Sequence, residues 1–239
     1  VEGFKHIPYN DLDALHALTN EKLNIVAVMV EPILGEGGVV IPDTGYLKSI
    51  RAFCDEHDCL MMVDEIQTGM CRTGKWFAFQ HEGIQPDVMT LAKALGNGVP
   101  IGACLAKGKA AELFQPGSHG STFGGNPLAS RAALAVVEVL EAQKLEQRAA
   151  ELGERILNGF KAALSGVAGI KDIRGKGLML GIELEQDATE LVGLALKEKL
   201  LINVTSGNVI RLLPPLVMND AEADQVVSSL SELIKAYLS

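Results

Sequence analysis

A carboxylate pair and a lysine follow two apolar runs in the middle of this chain. Leu60–Val63 ends at Asp64 and Glu65, and Val88–Ala92 is followed directly by Lys93. A short apolar run that stops at charged residues is typical of a buried strand that ends at a site. The interval of 29 residues from Asp64 to Lys93 fits a crossover between two parallel strands. We therefore expect both side chains to be buried near the carboxyl ends of strands, where open α/β sheets bind ligands.

A buried acid and a buried lysine suggest carbonyl chemistry. A lysine amine is protonated at neutral pH and becomes a nucleophile only when desolvation or nearby positive charge lowers its pKa. An aspartate that faces a pyridine nitrogen keeps it protonated, so that the ring can draw electrons from an adjacent carbanion. This pairing is expected of enzymes that use pyridoxal 5'-phosphate (PLP). The spacing also fits a structural ion pair between Asp64 and Lys93, with Asp64 capping the next helix, and on spacing alone that simpler interpretation is favoured.

The composition argues against several classes of function. The chain has 239 residues, 21 of them basic and 30 acidic, and its net charge of −9 at pH 7 argues against nucleic acid or an anionic membrane as a partner. No apolar segment reaches membrane-spanning length, and we expect a cytoplasmic protein without a signal peptide. The cysteines form no CxxC pair and lie at no zinc-finger spacing from a histidine, which indicates reduced thiols and no metal site. They are Cys54, Cys59, Cys71 and Cys104.

Hydrophobic periodicity predicts two parts with different architectures. In the first part, strands are expected over 25–30, 60–63, 88–92 and 101–106, and helices after Asn10–Asp11, over 44–57 and from Pro127. In the second part, helices are expected over 146–164, over 188–199 and from 221, with strands between 170 and 184, over 201–204 and over 209–213. We therefore predict an α/β domain with a mostly parallel sheet over 1–145, followed by a small α+β domain over 146–239.

Six motifs occur in order along the chain: VEPILGEGG, VDEIQTG, RTGK, LAKALGNGVPIGA, HGSTFGGNPLA and VIRLLPPL. Together they resemble the class III aminotransferases, and most of all the acetylornithine and succinylornithine group of that family. The resemblance covers nearly the whole chain and implies the fold-type I architecture of PLP transferases. Residues 1–145 would then be the C-terminal part of the PLP-binding large domain. Family members also have a long N-terminal portion with a glycine-rich phosphate loop, an aromatic residue over the cofactor ring and an arginine that reads a substrate carboxylate. None of these three can be assigned in this sequence.

The resemblance also assigns cofactor-binding residues. Lys93 would be the catalytic amine that forms a Schiff base with PLP and later moves a proton, and Asp64 would be the catalytic acid at the ring nitrogen. Gln67 would place its amide at the ring hydroxyl, and Thr122 would hold the phosphate across a dimer interface. The remaining cofactor-binding residues would be Glu65 and Ile66.

Three more residues are expected at the substrate. Arg211 lies inside an apolar strand, where a charge needs a partner, and the resemblance makes it the anchor of a substrate α-carboxylate, with Glu36 as the acid that pairs with it. Ser121 would lie beside the substrate, in a loop whose amides and hydroxyls could bind an anion. Without the family, the simpler interpretations are a salt bridge at Arg211, a solvated glutamate at Glu36 and a helix-capping loop around Ser121. Arg72 is expected to brace its loop.

The function implied by the resemblance is amino-group transfer from N-acetylornithine, or from succinylornithine, to 2-oxoglutarate in arginine biosynthesis. PLP would be the cofactor, and a homodimer with a shared active site would be the working assembly. Two alternatives stay open. The amino donor could be ornithine, 4-aminobutyrate, a diaminopimelate precursor or another amine, or the chain could be a non-catalytic fragment or assembly partner.

Overall fold

The computed structural model describes residues 2–21 and 23–239 and divides them into two compact units. The first unit consists of the described residues up to Pro32 together with Pro42–Ile66 and Phe79–Ala133. The second unit consists of Ile33–Ile41, Gln67–Ala78 and Leu134–Ser239. Two short segments of the N-terminal half thus belong to the second unit. The division of the chain into a large-domain part at 1–145 and a small domain at 146–239 stays a prediction.

The first unit is built on a four-stranded sheet in the order β1-β2-β3-β4. Its elements are α1 (Leu12–Ala17), β1 (Ala27–Val30), α2 (Tyr46–Glu56), β2 (Leu60–Asp64), β3 (Val88–Leu91) and β4 (Ala103–Ala106). The pairings β1–β2 and β2–β3 are parallel, and β4 runs antiparallel to β3. The apolar side of α2 is buried through Ile50 and Phe53, beside Met61 and Val63 of β2. This packing supports β2, whose last residue is Asp64.

The second unit is an α+β structure with a four-stranded sheet in the order β5-β6-β8-β7, in which every neighbouring pair is antiparallel. Its elements are α4 (Leu145–Ala163), β5 (Ile170–Lys176), β6 (Met179–Leu184), α5 (Glu190–Lys197), β7 (Asn203–Thr205), β8 (Val209–Leu212) and α6 (Asp220–Leu238). Apolar residues of α4 and α6, including Ile156, Phe160 and Leu230, form one core with Ile182 and Ile210 of the sheet. A capping box between Asn219 and Glu222 starts α6 by satisfying free amides of its first turn.

Helix α3 (Pro127–Ala142) has Pro127 at its first position, as predicted, where a missing amide hydrogen costs nothing. The side chain of Asn126 accepts a hydrogen bond from the amide of Ala129, at 3.0 Å, and so caps the first turn. The predicted cap of α1 is also present, because Asp11 accepts from the amide of Ala14 at 2.8 Å. That helix is shorter than predicted and gives way to a 3-10 turn at Leu18–Glu21. Lys22, at the end of the predicted helix, lies outside the described residues.

Two further expectations concern membranes and metals. Within residues 2–21 and 23–239, every helix is too short or too polar to cross a bilayer. The same residues contain no group of three or more His, Cys, Asp or Glu side chains that could hold a metal ion. Cys54, Cys59 and Cys71 are buried free thiols, and Cys104 is an exposed one.

Candidate active site

Asp64 is the last residue of β2, and one of its carboxylate oxygens is fixed by the protein. Oδ1 accepts hydrogen bonds from the amide of Ile66, at 2.9 Å, and from the hydroxyl of Thr90, at 3.1 Å. Thr90 is its register partner on β3. No described residue donates to Oδ2. The strand end therefore presents an oriented, half-buried carboxylate with one acceptor oxygen available to a ligand.

Glu65 points elsewhere, because successive residues of an extended chain face opposite sides. Its side chain is buried, and Oε1 accepts from the amide of Phe79 at 3.0 Å. Its own amide donates to the carbonyl of Thr90 at 3.1 Å. The described contacts of Glu65 thus tie the strand end to neighbouring main chain. A direct contact of Glu65 with the cofactor stays a prediction.

Lys93 begins the 3-10 turn Lys93–Leu95, two residues after β3 ends. Its backbone has a φ of +44°, a left-handed value that is uncommon outside glycine. The tight turn continues through Gly96, where an added Cβ would collide with the carbonyl oxygen of Val99. Residues held in such conformations cluster at functional sites because the surrounding structure must enforce them.

The prediction that Lys93 is buried is wrong in this chain, since its side chain is exposed. The physical reason is its position in a 3-10 turn past the end of β3, outside the buried strand. The alternative of a structural Asp64–Lys93 ion pair is also wrong. The side-chain amine of Lys93 has no hydrogen bond or ion pair with any described residue, and the Asp64 carboxylate is bonded to Ile66 and Thr90 instead. Its amine is therefore uncommitted.

Ser121 and Thr122 lie in an exposed loop that precedes α3. The hydroxyl oxygen of Ser121 accepts from the amide of Gly124 at 3.1 Å, which shapes the turn. The hydroxyl of Thr122 has no partner among the described residues. Next to it, Phe123 is 82% exposed. The structure brings neither hydroxyl to another of the predicted site residues, so their contacts with cofactor and substrate stay predictions.

In the second unit, Arg211 is the centre of a polar cluster on β8. Its side chain is only 10% exposed. Nη1 donates to Glu36 Oε1 at 2.8 Å and to Gln67 Oε1 at 3.1 Å. Nη2 donates to Oδ1 of Asn203, its register partner on β7, at 3.1 Å. Glu36, Gln67 and Arg211, which are far apart in the sequence, thus meet at one place.

Gln67 contacts both members of the ion pair, because Nε2 also donates to Glu36 Oε1 at 3.1 Å. Its nitrogen carries two hydrogens, and only one has a partner in the described chain. The second hydrogen is compatible with the predicted contact to a cofactor hydroxyl. The bonds to Glu36 and Arg211 were not expected from the sequence, and Asn203 was not recognised as a site residue. Cross-strand pairing brings Asn203 to Arg211, and single-sequence periodicity does not reveal such pairing.

The loop that carries Glu36 is held by Arg174 of β5, another residue that sequence reasoning missed. Arg174 donates from Nη2 to the carbonyl of Gly38 at 2.6 Å and from Nε to that of Val39 at 2.8 Å. Val39 is buried, has a φ of +52° and packs over Gly181, the β6 neighbour of Arg211. A positive φ at a β-branched residue is strained, so the loop needs such anchoring.

Arg174 is itself oriented by acidic residues. Its Nη1 contacts Glu183 at 2.7 Å and Asp172 at 2.9 Å. Hydrogen bonds from Lys171 and then from Arg174 hold the pKa of the Glu183 carboxyl below its usual value, although burial acts in the opposite direction. This arrangement keeps the guanidinium aimed at the two carbonyls.

Arg72 was expected to brace its own loop, and its guanidinium holds two other segments, one of which follows β8. Its Nη1 donates to the carbonyls of Leu178, at 3.1 Å, and Pro214, at 2.5 Å, while its own carbonyl accepts from the amide of Leu178 at 2.9 Å. Burial lowers the pKa of the Arg72 guanidinium to about 10, so it stays charged at neutral pH. The contact with Pro214 lies three residues from Arg211 and restrains that end of the strand.

A sequence model of the family described as "Aminotransferase class-III" matches residues 3–234. The chain belongs to the class III aminotransferases. The family predicted from the six motifs is thereby confirmed. Acetylornithine aminotransferase of Nitrosomonas europaea is 51% identical over 236 residues, which are 99% of this chain and 60% of that protein. The enzyme of the same name from Methanothermobacter thermautotrophicus is 46% identical over 233 residues, 98% of this chain and 59% of that protein.

Solved structures confirm the fold-type I prediction for this class III aminotransferase chain. Ornithine aminotransferase of Toxoplasma gondii superposes with a TM-score of 0.95 at 39% identity, over 99% of this chain and 57% of that one. Acetylornithine aminotransferase of Elizabethkingia anophelis gives a TM-score of 0.92 at 41% identity, over 98% of this chain and 63% of that one. The chain spans about 60% of the length of the curated relatives it matches. Activity, substrates and assembly are therefore proposed below.

Proposed function

We propose that this chain is the catalytic part of a PLP-dependent aminotransferase that moves the amino group of N-acetylornithine to 2-oxoglutarate. The observation that supports this proposal most directly is the state of Lys93. Its amine has no competing partner among the described residues. Lys93 follows β3, and the parallel neighbour of β3 is β2, which ends at Asp64. The relatives named acetylornithine aminotransferase, at 44–51% identity, favour this donor.

The residues present fit PLP. Asp64 offers a free Oδ2 to the pyridine nitrogen, while its Oδ1 is held by Thr90 and Ile66. Lys93 would hold the cofactor through its amine and Thr122 through its hydroxyl at the phosphate. When bound, PLP supplies the sink for the electrons of the carbon that loses its proton. A fixed carboxylate keeps the ring nitrogen charged, and this is the contribution we assign to Asp64.

Lys93 also has the properties of an acid–base residue. Its Nζ can take the proton that leaves the substrate carbon bearing the amine and can return it in the second half of the transfer. An amine with no ion-pair partner is available for this step, since no protein bond has to break first.

Arg211 and Glu36 would let one site accept two different substrates. 2-Oxoglutarate brings two carboxylates, whereas N-acetylornithine has one carboxylate and a neutral acyl group. We assign Arg211 to the α-carboxylate of glutamate or 2-oxoglutarate, and Glu36 to the neutralisation of Arg211 when that carboxylate is absent. A nearly buried guanidinium is costly when unpaired, so a protein acid that replaces the substrate carboxylate keeps the charge compensated.

We also propose a homodimer in which Ser121 and Thr122 serve a site shared with the partner. The support comes from the loop that carries them, which is exposed together with large apolar side chains. These side chains belong to Leu113, Phe114, Phe123 and Leu128. All four lie within residues 113–128, and exposed apolar side chains that form a contiguous patch are typical of contact surfaces. A cytoplasmic location stays a prediction.

Ornithine is the second candidate donor, because ornithine aminotransferases superpose on the chain with TM-scores up to 0.95. Rates with N-acetylornithine, succinylornithine, ornithine and 4-aminobutyrate, each with 2-oxoglutarate, decide between the donors. We expect N-acetylornithine to be the best substrate. A higher rate with ornithine would make ornithine the donor instead.

The test of cofactor use is visible absorption together with intact mass. We expect a yellow protein whose colour is lost in Lys93→Ala and kept in Lys75→Ala, a matched control at another exposed lysine. A colourless protein that takes up no added PLP would instead support the alternative of a non-catalytic fragment.

A further inference from the structure

Two hydrogen bonds meet at one oxygen of the Asp64 carboxylate. Oδ1 lies 3.1 Å from the hydroxyl of Thr90 and 2.9 Å from the amide nitrogen of Ile66. An ionised carboxylate only accepts hydrogen bonds, so the Thr90 hydroxyl must be the donor. No donor of the described chain reaches Oδ2. The protein therefore treats the two oxygens differently, because it holds Oδ1 from two sides and leaves Oδ2 as an acceptor.

The two donors restrain Asp64 in different ways. The amide of Ile66 is two residues further along the same segment, so that bond is local to the end of β2. Thr90 lies on the neighbouring strand β3 and is the register partner of Asp64. Its carbonyl also accepts from the amide of Glu65 at 3.1 Å, so the main chain is tied across the two strands independently of the Thr90 side chain. The hydroxyl adds a link from the neighbouring strand to the carboxylate itself.

We propose that Thr90 is a positioning residue for the cofactor, which acts through Asp64. By occupying Oδ1 it directs Oδ2 towards the pyridine nitrogen of PLP and helps to keep that nitrogen protonated. The torsion that turns an aspartate carboxylate has a broad distribution, so a second bond from another strand restricts it. This inference rests on the proposed function and adds to it a residue that acts without touching PLP or substrate.

The direction of the two bonds also selects the state of the ring. Oδ2 can only accept, so its partner must bring a hydrogen, as a protonated ring nitrogen does and a neutral one does not. In Asp64→Asn the same two donors should hold the amide oxygen at the place of Oδ1. The amide nitrogen would then stand at the place of Oδ2 and donate to a neutral ring nitrogen.

Three substitutions isolate the hydroxyl of Thr90. Thr90→Val removes it and keeps a β-branched side chain suited to a strand, and Thr90→Ser restores it. Both variants retain the carbonyl that binds the amide of Glu65. Thr205→Val is the matched control, because Thr205 is a buried residue of β7 whose hydroxyl has no hydrogen-bond partner. If Thr90→Val fails to fold, Thr90→Ala decides instead, since it also lacks the hydroxyl.

The 239-residue chain is loaded with PLP that carries ¹⁵N in the ring, and the nitrogen resonance is followed as the pH is raised. We expect Thr90→Val to lower the pH at which the ring nitrogen loses its proton by about 0.5–1 unit, a threefold to tenfold change in that equilibrium. PLP should bind about threefold to tenfold more weakly. Thr90→Ser should recover most of both losses, and Thr205→Val should change neither. A merely structural role for Thr90 would lower the free energy of unfolding and leave the ring titration in place.

A double-mutant cycle tests whether Thr90 acts through Asp64. In the Asp64→Asn background we expect a neutral ring nitrogen, and Thr90→Val should then leave its resonance unchanged. An equal change of the resonance in both backgrounds would show that Thr90 acts by another route and would overturn the inference.

Two further outcomes overturn it: a ring titration that ignores Thr90→Val, or one that moves to higher pH, which would mean that the hydroxyl weakens the acceptor instead of aiming it. A chain that takes up no PLP would defeat the proposed function and this inference with it. A loaded chain that shows the Thr90 effects but transfers no amino group would defeat the proposed function alone. A transaminase whose ring titration ignores Thr90 would defeat this inference alone.

Discussion

Thr90 donates its hydroxyl hydrogen to Asp64 Oδ1 at 3.1 Å, across two parallel strands in which the two residues are register partners. With the bond from the amide of Ile66, this contact fixes one oxygen of the carboxylate. The other oxygen is thereby directed away from the protein bonds and left for a ligand. Such a carboxylate suits a partner that must stay protonated throughout a reaction cycle.

Asp64→Asn should keep some PLP binding and lose most turnover. An amide keeps the shape but not the charge that holds a proton on the ring nitrogen. The lost charge-assisted bond is worth about 1.5–3 kcal/mol, which corresponds to about a tenfold to hundredfold lower rate. The measurement is kcat at saturating PLP with N-acetylornithine and 2-oxoglutarate. Turnover close to that of the unmodified enzyme would remove Asp64 from the catalytic role.

Asp87 should make the first unit sensitive to acid. Its Oδ2 accepts from the amide of Met61 at 2.8 Å and from Arg51 Nη1 at 2.7 Å. Burial raises the pKa of the Asp87 carboxyl, but the bonds from Arg51 and Met61 outweigh it and the net pKa is lowered. A carboxyl with a lowered folded-state pKa stabilises the fold above its unfolded pKa of about 3.9, and this stability is lost as the pH falls through the folded value.

We therefore expect Asp87→Asn to lower the free energy of unfolding by about 1.5–3 kcal/mol at pH 7 and to flatten its fall below about pH 4. Urea unfolding at several pH values gives both quantities. Asp58→Asn is the control, because the Asp58–Lys109 pair is 85% and 78% exposed and should contribute nothing measurable. Identical pH profiles for the Asp87→Asn and unmodified chains would contradict the assignment.

The sequence allows the strand-end residues to be predicted, because a buried strand that stops at charged residues is a local pattern. Asp64 and Lys93 were found in this way, and family resemblance added Glu36 and Arg211. The exposure of Lys93 was not predicted, since a turn past a strand and a buried strand end look alike in sequence. Asn203 acts through cross-strand pairing, which no single segment encodes.

Arg174 was missed for a related reason. A basic residue in a strand is ordinarily interpreted as a solvated side chain, and its true partners are carbonyl groups 135 and 136 positions away. Any residue can supply a carbonyl, so composition gives no signal for such a contact. Gly35 is similar, because a Cβ at this position would lie 2.6 Å from Nε2 of Gln67, a residue 32 positions further along.

Arg174→Lys should loosen the loop that carries Glu36. A lysine has no planar fork and cannot bond to the carbonyls of Gly38 and Val39 in the same way. Losing one such bond should lower the free energy of unfolding by about 1–3 kcal/mol. Hydrogen exchange of the Leu34 and Val40 amides, which bond to each other's carbonyls at 3.1 Å, should become faster. Unchanged protection of these two amides would show that Arg174 does not hold the loop.

Arg211→Lys should damage the two half-reactions unequally. In the glutamate half-reaction the guanidinium binds a planar carboxylate, and a lysine loses both the fork and the bond geometry to Gln67 and Asn203. We expect that half-reaction to slow about tenfold to hundredfold, the equivalent of a charged hydrogen bond of about 1.5–3 kcal/mol. In the N-acetylornithine half-reaction Arg211 is paired with Glu36, and a lysine can still satisfy that single carboxylate contact.

Single-turnover rates of each half-reaction, followed by cofactor absorbance, separate the two effects. Arg155→Lys is the matched control, because Arg155 forms exposed ion pairs with Asp220 and Asp224 and should change neither rate. Glu36→Ala completes the test: it leaves Arg211 without its internal partner, so it should slow the N-acetylornithine half-reaction more than the glutamate one. Equal losses in both half-reactions for Arg211→Lys would make the arginine a structural residue, and the switch between Glu36 and substrate would then be wrong.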